Sequence, residues 1–142
     1  MERMEWDRSF KTLKLNLEFV SAWEPENPNP LAQKCEQSRH RTLAHLRACQ
    51  EQWMSIVRAF LERDRPNVTL LHPWRIFDQG EYQVLSWADH FTKWESDRRH
   101  WLSWQNSVDW ERGGRWNRKP DTIGGLTDRL ARHESYHLDF FR

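Results

Sequence analysis

The chain has 142 residues, with 22 Lys and Arg against 21 Asp and Glu, so its formal net charge is +1. We expect a single domain over residues 1–142, and the balanced charge gives no reason to expect nucleic acid or a membrane surface as a partner. The N-terminal sequence lacks the apolar core of a signal peptide, and no apolar run has the length of a transmembrane helix. Two cysteines make neither a disulfide framework nor a C-x-x-C pair. These features predict a cytoplasmic protein.

Four segments show the apolar periodicity of amphipathic helices. The first carries the stripe Trp6, Phe10, Leu13, Leu17 and Val20 and ends in the proline-rich stretch 24–30. The other three are expected from about Ser38 to Asp64, from about Glu81 to Asp109, and from Asp121 or Thr122 to the end of the sequence. A long connection runs from Asn67 to about Tyr82, and no segment reads convincingly as a strand. The pattern predicts an all-α fold, a four-helix bundle with a long crossover connection between helices 2 and 3.

The strongest functional signal is the string His133-Glu134-Ser135-Tyr136-His137 in the fourth helix. Residues four apart on a helix point the same way, and this is the spacing that two imidazoles need to share a divalent metal. Both histidines fall near the centre of the apolar arc, where each unsatisfied buried polar group would cost about 1–3 kcal/mol. The string also matches the H-E-x-x-H motif of zinc proteases. That class is disfavoured because the sequence offers no strand to bind a peptide.

A third ligand is expected upstream, because only residues 138–142 follow the motif in this sequence and catalytic zinc sites use three protein ligands. His45 is the preferred candidate because it borders the apolar face of the second helix. His90, on the third helix between Asp89 and Lys93, is the rival. The remaining histidines are interpreted as surface or loop residues: His40, His72 and His100.

Two segments of the chain resemble the DinB-like (DinB/YfiT-like) superfamily of metalloenzymes. Residues 122–138, with Leu130-Ala131-Arg132-His133 and His137, are similar to that family's last helix with its H-x-x-x-H pair. Thr42-Leu43-Ala44-His45-Leu46, followed by Trp53, is similar to its second helix. The resemblance implies a four-helix bundle with a long connection between helices 2 and 3. It also implies a metal centre formed by His45, His133 and His137.

The predicted activity is that of a divalent-metal-dependent enzyme, a transferase or hydrolase that acts on a small molecule. Zinc is the first choice of metal and nickel the second. The resemblance implies that a low-molecular-weight thiol, such as bacillithiol or mycothiol, is used by some members. Three nearby side chains have two interpretations each. Glu134 is a base, or it faces a neighbouring helix or solvent. Cys49 reaches the site or fills the core. Arg98 holds an anionic substrate or pairs with a carboxylate such as Glu95.

The alternative is a non-catalytic helical bundle that binds a metal structurally, or binds a partner, most simply as a homodimer. The ten tryptophans of the sequence bear on this choice. Trp87, Trp94 and Trp101 repeat every seven residues and are expected in the core. Trp104 and Trp110, with Trp116, lie off that stripe or in a loop, where exposed rings would suit an interface.

Overall fold

A computed structural model of the chain describes residues 3–70 and 84–142, with side chains from Trp6 onward. These residues form a mostly helical structure with four α-helices and a small three-stranded sheet. The helices are α1 (Arg3–Ser21), α2 (Arg39–Glu62), α3 (Trp87–Ser103) and α4 (Ile123–Leu138), and the strands are β1 (Asn67–Val68), β2 (Gly113–Trp116) and β3 (Lys119–Thr122). Short 3-10 helices cover Cys35–Gln37 and Asp139–Phe141. In the described ranges, every helix is too short or too polar to cross a bilayer.

The helix ends follow local capping chemistry that is visible in the sequence. Ser38 precedes α2 and accepts a hydrogen bond from the Arg41 amide at 3.2 Å, and Thr122 precedes α4 and accepts one from the Gly125 amide at 3.0 Å. These contacts satisfy amides that the helix itself leaves without partners. The predicted starts of helices 2 and 4 are therefore confirmed.

The third helix is shorter than predicted. It ends at Ser103 rather than near Asp109, because the chain turns through residues 104–107. The expected start at Glu81 lies outside the described residues. So does most of the predicted crossover connection, residues 71–83 with His72.

The core forms where α2 packs on α3 and α4 while α1 packs on α4 and α3. Two clusters of apolar side chains fill it. One is centred on Phe10, Phe60 and Trp101 and the other on Leu43 and Trp94. The tryptophan stripe on α3 is buried, which confirms the core interpretation of Trp87, Trp94 and Trp101.

Two of the three tryptophans that lie off the stripe or in a loop are part of the core. Trp104 is 8% exposed and Trp110 is 7% exposed. The ring of Trp110 stacks on Trp6 with centroids 5.5 Å apart and meets the edge of Phe10 at 4.6 Å. Trp110 lies in a loop, and the rings that bury it belong to α1. Its burial therefore depends on residues distant in sequence.

The expectation that the chain has no strand is wrong. β2 and β3 form an antiparallel hairpin in which Trp116 pairs with Lys119, and β1 pairs with β2 in parallel. The two connecting residues, Asn117 and Arg118, have φ values of 48° and 69°. Such values at both central positions are typical of a type I′ hairpin turn. The second residue is Arg rather than Gly, so the sequence lacks the usual Asn-Gly signal.

The hairpin immediately precedes α4 in the chain and contacts the segment that follows α2. A Cβ at Gly114 would lie 2.5 Å from the Pro66 carbonyl oxygen, so only glycine allows this approach after α2. The Ile123 amide donates to the Arg112 carbonyl at 2.9 Å, and the Gly124 amide donates to the Trp110 carbonyl at 2.9 Å. The sheet therefore helps to fix where α4 begins.

Candidate metal centre

Helices α2 and α4 bring the three predicted ligand histidines together. The Nε2 atoms of His45 and His133 lie 3.3 Å apart. The ring centroid of His137 is 4.7 Å from that of His45 and 4.7 Å from that of His133. The convergence follows from the helical spacing, since His133 and His137 are one turn apart on the face of α4 that α2 contacts.

The surroundings of the three rings favour neutral imidazoles, which are the form that binds metals. Burial, followed by the neighbouring imidazoles of His137 and His133, lowers the pKa of His45 from 6.5 to about 3. Burial and His137 lower the pKa of His133 to about 4, although the carboxylate of Glu134 acts in the opposite direction. Burial also lowers the pKa of His137, against the effect of Glu36. All three rings are therefore uncharged at neutral pH and present lone pairs.

Cys49 adds a sulfur atom to this cluster. Its Sγ lies 3.6 Å from Nε2 of His45, one helical turn away on α2. The donor atoms of His45, Cys49 and His133 all lie within 4.8 Å of one another. Burial is the main cause that raises the pKa of the Cys49 thiol to about 12, and a nearby Cys35 adds to it. The sequence interpretation listed Cys49 as a side chain that either reaches the site or fills the core, and the structure places it beside the imidazoles.

The donor set fits a divalent transition metal. Imidazole nitrogen and cysteine sulfur are ligands of zinc and of its neighbours in the first transition row. Nε2 of His133 faces Nε2 of His45, whereas its buried Nδ1 lacks a hydrogen-bond partner within residues 3–70 and 84–142. The ring of Trp53 packs on that of His133 with centroids 5.3 Å apart.

His90 does not belong to this cluster. It is fully buried between α2 and α3, where Arg47 Nε donates to its Nδ1 at 3.3 Å and the ring of His40 lies 5.2 Å away. The interpretation of His40 as a surface residue is wrong, because its ring is fully buried against His90 and Trp87. His100 is exposed, as expected.

Glu134 and Arg98 form a buried ion pair instead of facing the three clustered histidines. Arg98 Nη1 donates to Glu134 Oε1 at 2.8 Å, and Nη2 contacts Oε2. Both side chains are at most 1% exposed. The suggested partner of Arg98, Glu95, is paired with Arg99 on the surface instead. Glu134 thus faces a neighbouring helix, which is one of the interpretations that the sequence left open.

Two members of the polar network around this pair were missed at the level of sequence. Gln50 accepts from Arg98 Nε at 2.8 Å and donates to the Trp94 carbonyl at 2.9 Å. The indole of Trp94 donates to Glu134 Oε2 at 3.3 Å. The sequence did contain one indication of this network, because Arg98 lies inside the apolar arc of the third helix. A buried guanidinium there needs hydrogen-bond acceptors from neighbouring helices.

Comparisons of the chain with models of protein families, with curated proteins and with solved structures found no match.

Proposed function

We propose that the protein is a divalent-metal-dependent enzyme of the DinB-like type, a four-helix bundle whose metal is held by His45, His133 and His137. The observation that carries the proposal is the convergence of these three imidazoles from two helices, with ring centroids 4.7–5.2 Å apart. Three neutral nitrogen ligands leave a divalent ion its full positive charge.

The proposed reaction is group transfer or hydrolysis on a small molecule, with a low-molecular-weight thiol as a candidate co-substrate. Zinc is the proposed metal, with nickel second. The chemistry that such an ion supplies is acidification of water or of a thiol and polarisation of a carbonyl group. The protein contributes the orientation of the three rings, and the ring of Trp53 packs on that of His133.

The first experiment is elemental analysis of the purified, tag-free protein by mass spectrometry. We expect about one zinc or nickel ion per chain, as for a single three-histidine centre. His133→Ala, His137→Ala and a His45→Ala/His137→Ala double variant should each lose stoichiometric metal. His100→Ala is the matched control, because His100 is an exposed histidine outside the cluster. Near-native metal binding by both His133→Ala and His137→Ala would refute the site.

Activity is then tested on the metal-loaded and the chelated protein with panels of thiol-transfer and ester or amide hydrolysis substrates. An enzyme should lose turnover on chelation and regain it when zinc or nickel is returned. His137→Ala should lose turnover while the His100→Ala control retains it. If turnover is independent of metal in every panel, the metal-dependent activity is refuted.

The second candidate function is a non-catalytic metal-binding or partner-binding bundle. It is favoured by the exposed aromatic rings beside the cluster. Tyr136 is 64% exposed and Phe140 is 51% exposed, their centroids lie 5.6 Å apart, and Tyr136 also contacts the ring of His137. A second copy of the chain in a homodimer could cover these rings. In that case metal removal would lower stability or dissociate the dimer, and no reaction would depend on the ion.

A further inference from the structure

We propose that the Cys49 sulfur is a fourth protein ligand, so that the centre is a nitrogen–sulfur site for zinc and for ions with the same ligand preference. The inference rests on the proposed metal centre and deepens it by naming a ligand and a class of metal. It is carried by the positions of three donor atoms on α2 and α4, those of His45, Cys49 and His133.

Two of the three spacings between these atoms match the edges of a zinc tetrahedron, and the third, between Cys49 and His133, is at most 4.8 Å. Zinc–nitrogen distances of about 2.0–2.1 Å place two ligand nitrogens about 3.3–3.4 Å apart at the tetrahedral angle. The two Nε2 atoms of His45 and His133 are 3.3 Å apart. With a zinc–sulfur distance of about 2.3 Å, a nitrogen and a sulfur ligand lie about 3.5–3.6 Å apart. Nε2 of His45 and Sγ of Cys49 are 3.6 Å apart.

The 3.3 Å contact between the two imidazoles also has the length of a hydrogen bond in which one Nε2 donates to the other. A shared cation accounts for this contact and also for the sulfur that lies 3.6 Å from Nε2 of His45. The sulfur cannot leave the cluster easily, because Cys49 is only 3% exposed and sits one turn from His45 on a continuous helix.

Coordination by Cys49 has two chemical consequences. The thiol proton passes to solvent as the metal–sulfur bond forms, so the bound ligand is the thiolate. The softer sulfur also favours zinc, cobalt and copper over magnesium, calcium and manganese. His137, whose ring centroid lies 4.7 Å from those of His45 and His133, would be the remaining ligand. With four protein ligands, a substrate would have to replace one ligand or expand the coordination to five.

The test replaces the native metal by Co(II) in the full chain, under a phosphine reductant that supplies no competing thiol. Cobalt bound to thiolate gives a near-ultraviolet charge-transfer band, whereas cobalt bound only to imidazoles gives visible ligand-field bands. Cys35→Ser is the matched control, and it leaves Cys49 as the single thiol of the chain. We expect the charge-transfer band in the wild type and in Cys35→Ser, with complete loss in Cys49→Ser.

The outcomes separate this inference from the proposed metal centre. Visible bands without a charge-transfer band in the wild type would overturn the role of Cys49 and leave a three-histidine centre. A charge-transfer band that disappears in Cys35→Ser would also overturn it, because the sulfur would then be that of Cys35. Absence of any cobalt or zinc binding would overturn the metal centre itself. If Cys49→Ser does not fold, as judged by circular dichroism, the spectrum of Cys35→Ser decides the question.

Discussion

Loss of one partner of the buried ion pair between Arg98 and Glu134 should be among the most destabilising single changes in this protein, and Glu134→Ala tests this. Each oxygen of the carboxylate accepts from Arg98, and Oε2 also accepts from the indole of Trp94. The guanidinium donates in addition to Gln50 Oε1 at 2.8 Å and to the Leu13 carbonyl at 3.0 Å. The alanine variant would leave a permanently charged group in the core with only these two neutral acceptors.

The expected cost follows from the burial of both partners. Removing one member of a buried ion pair destabilises a protein by about 3–5 kcal/mol, against a total stability of about 5–15 kcal/mol. At a slope of about 2 kcal/mol per molar urea, the unfolding midpoint of Glu134→Ala should fall by about 1.5–2.5 M. Glu134→Gln keeps the shape and one acceptor, so its midpoint should lie between those of the alanine variant and the wild type.

The matched control is Glu95→Ala. It removes the carboxylate of the exposed ion pair between Glu95 and Arg99, which lies on the helix that carries Arg98. Such surface pairs contribute about 0–0.5 kcal/mol, so this midpoint should hardly move. The assay is equilibrium urea unfolding followed by tryptophan fluorescence and circular dichroism. A Glu134→Ala midpoint within error of the Glu95→Ala midpoint would refute the reasoning. Normal stability together with lost turnover would instead return Glu134 to the role of a base.

Three further predictions concern the cluster of His45, His133 and His137 and the helix α4, which carries two of these residues. The metal-free protein should lose stability as the pH falls from about 6.5 toward 4, because unfolding lets His45 and His133 take up protons that burial excludes in the folded state. Across this pH range, the urea midpoint should fall less in His133→Ala than in the wild type. An equal dependence of the midpoint on pH in both proteins would contradict the attribution to His133. Thr122→Ala removes the cap on the Gly125 amide and should cost about 1 kcal/mol, measured by thermal unfolding. Zinc should raise the melting temperature of the wild type by more than that of His137→Ala, which has one ligand fewer.

Local chemistry in the sequence was enough for much of the helical structure. The stripe of the first helix, the caps at Ser38 and Thr122, and the buried tryptophans of α3 depend on contacts within a few residues or on periodicity. The spacing of His133 and His137 likewise fixes their common direction before any packing occurs. What the sequence predicted about metal binding remains a prediction, while the approach of the three imidazoles is a feature of the fold.

The hairpin shows where local signals stop. Its turn residues, Asn117 and Arg118, adopt positive φ values that neither residue type demands, and its strands are only four residues long. The pairing is supported by contacts distant in sequence, such as the Arg115 amide on the Pro66 carbonyl at 2.7 Å. The periodicity of nearby residues in the sequence does not predict such a contact.

The sequence by itself determined which faces of the helices are apolar and which histidines share a face, because both follow from the 3.6-residue period of one helix. Only the tertiary structure decided between His45 and His90 as the neighbour of His133, and only it placed Glu134 against Arg98. Those choices depend on the rotation of each helix about its axis relative to its neighbours. That rotation is set by the packing of the whole core, to which residues from all four helices contribute.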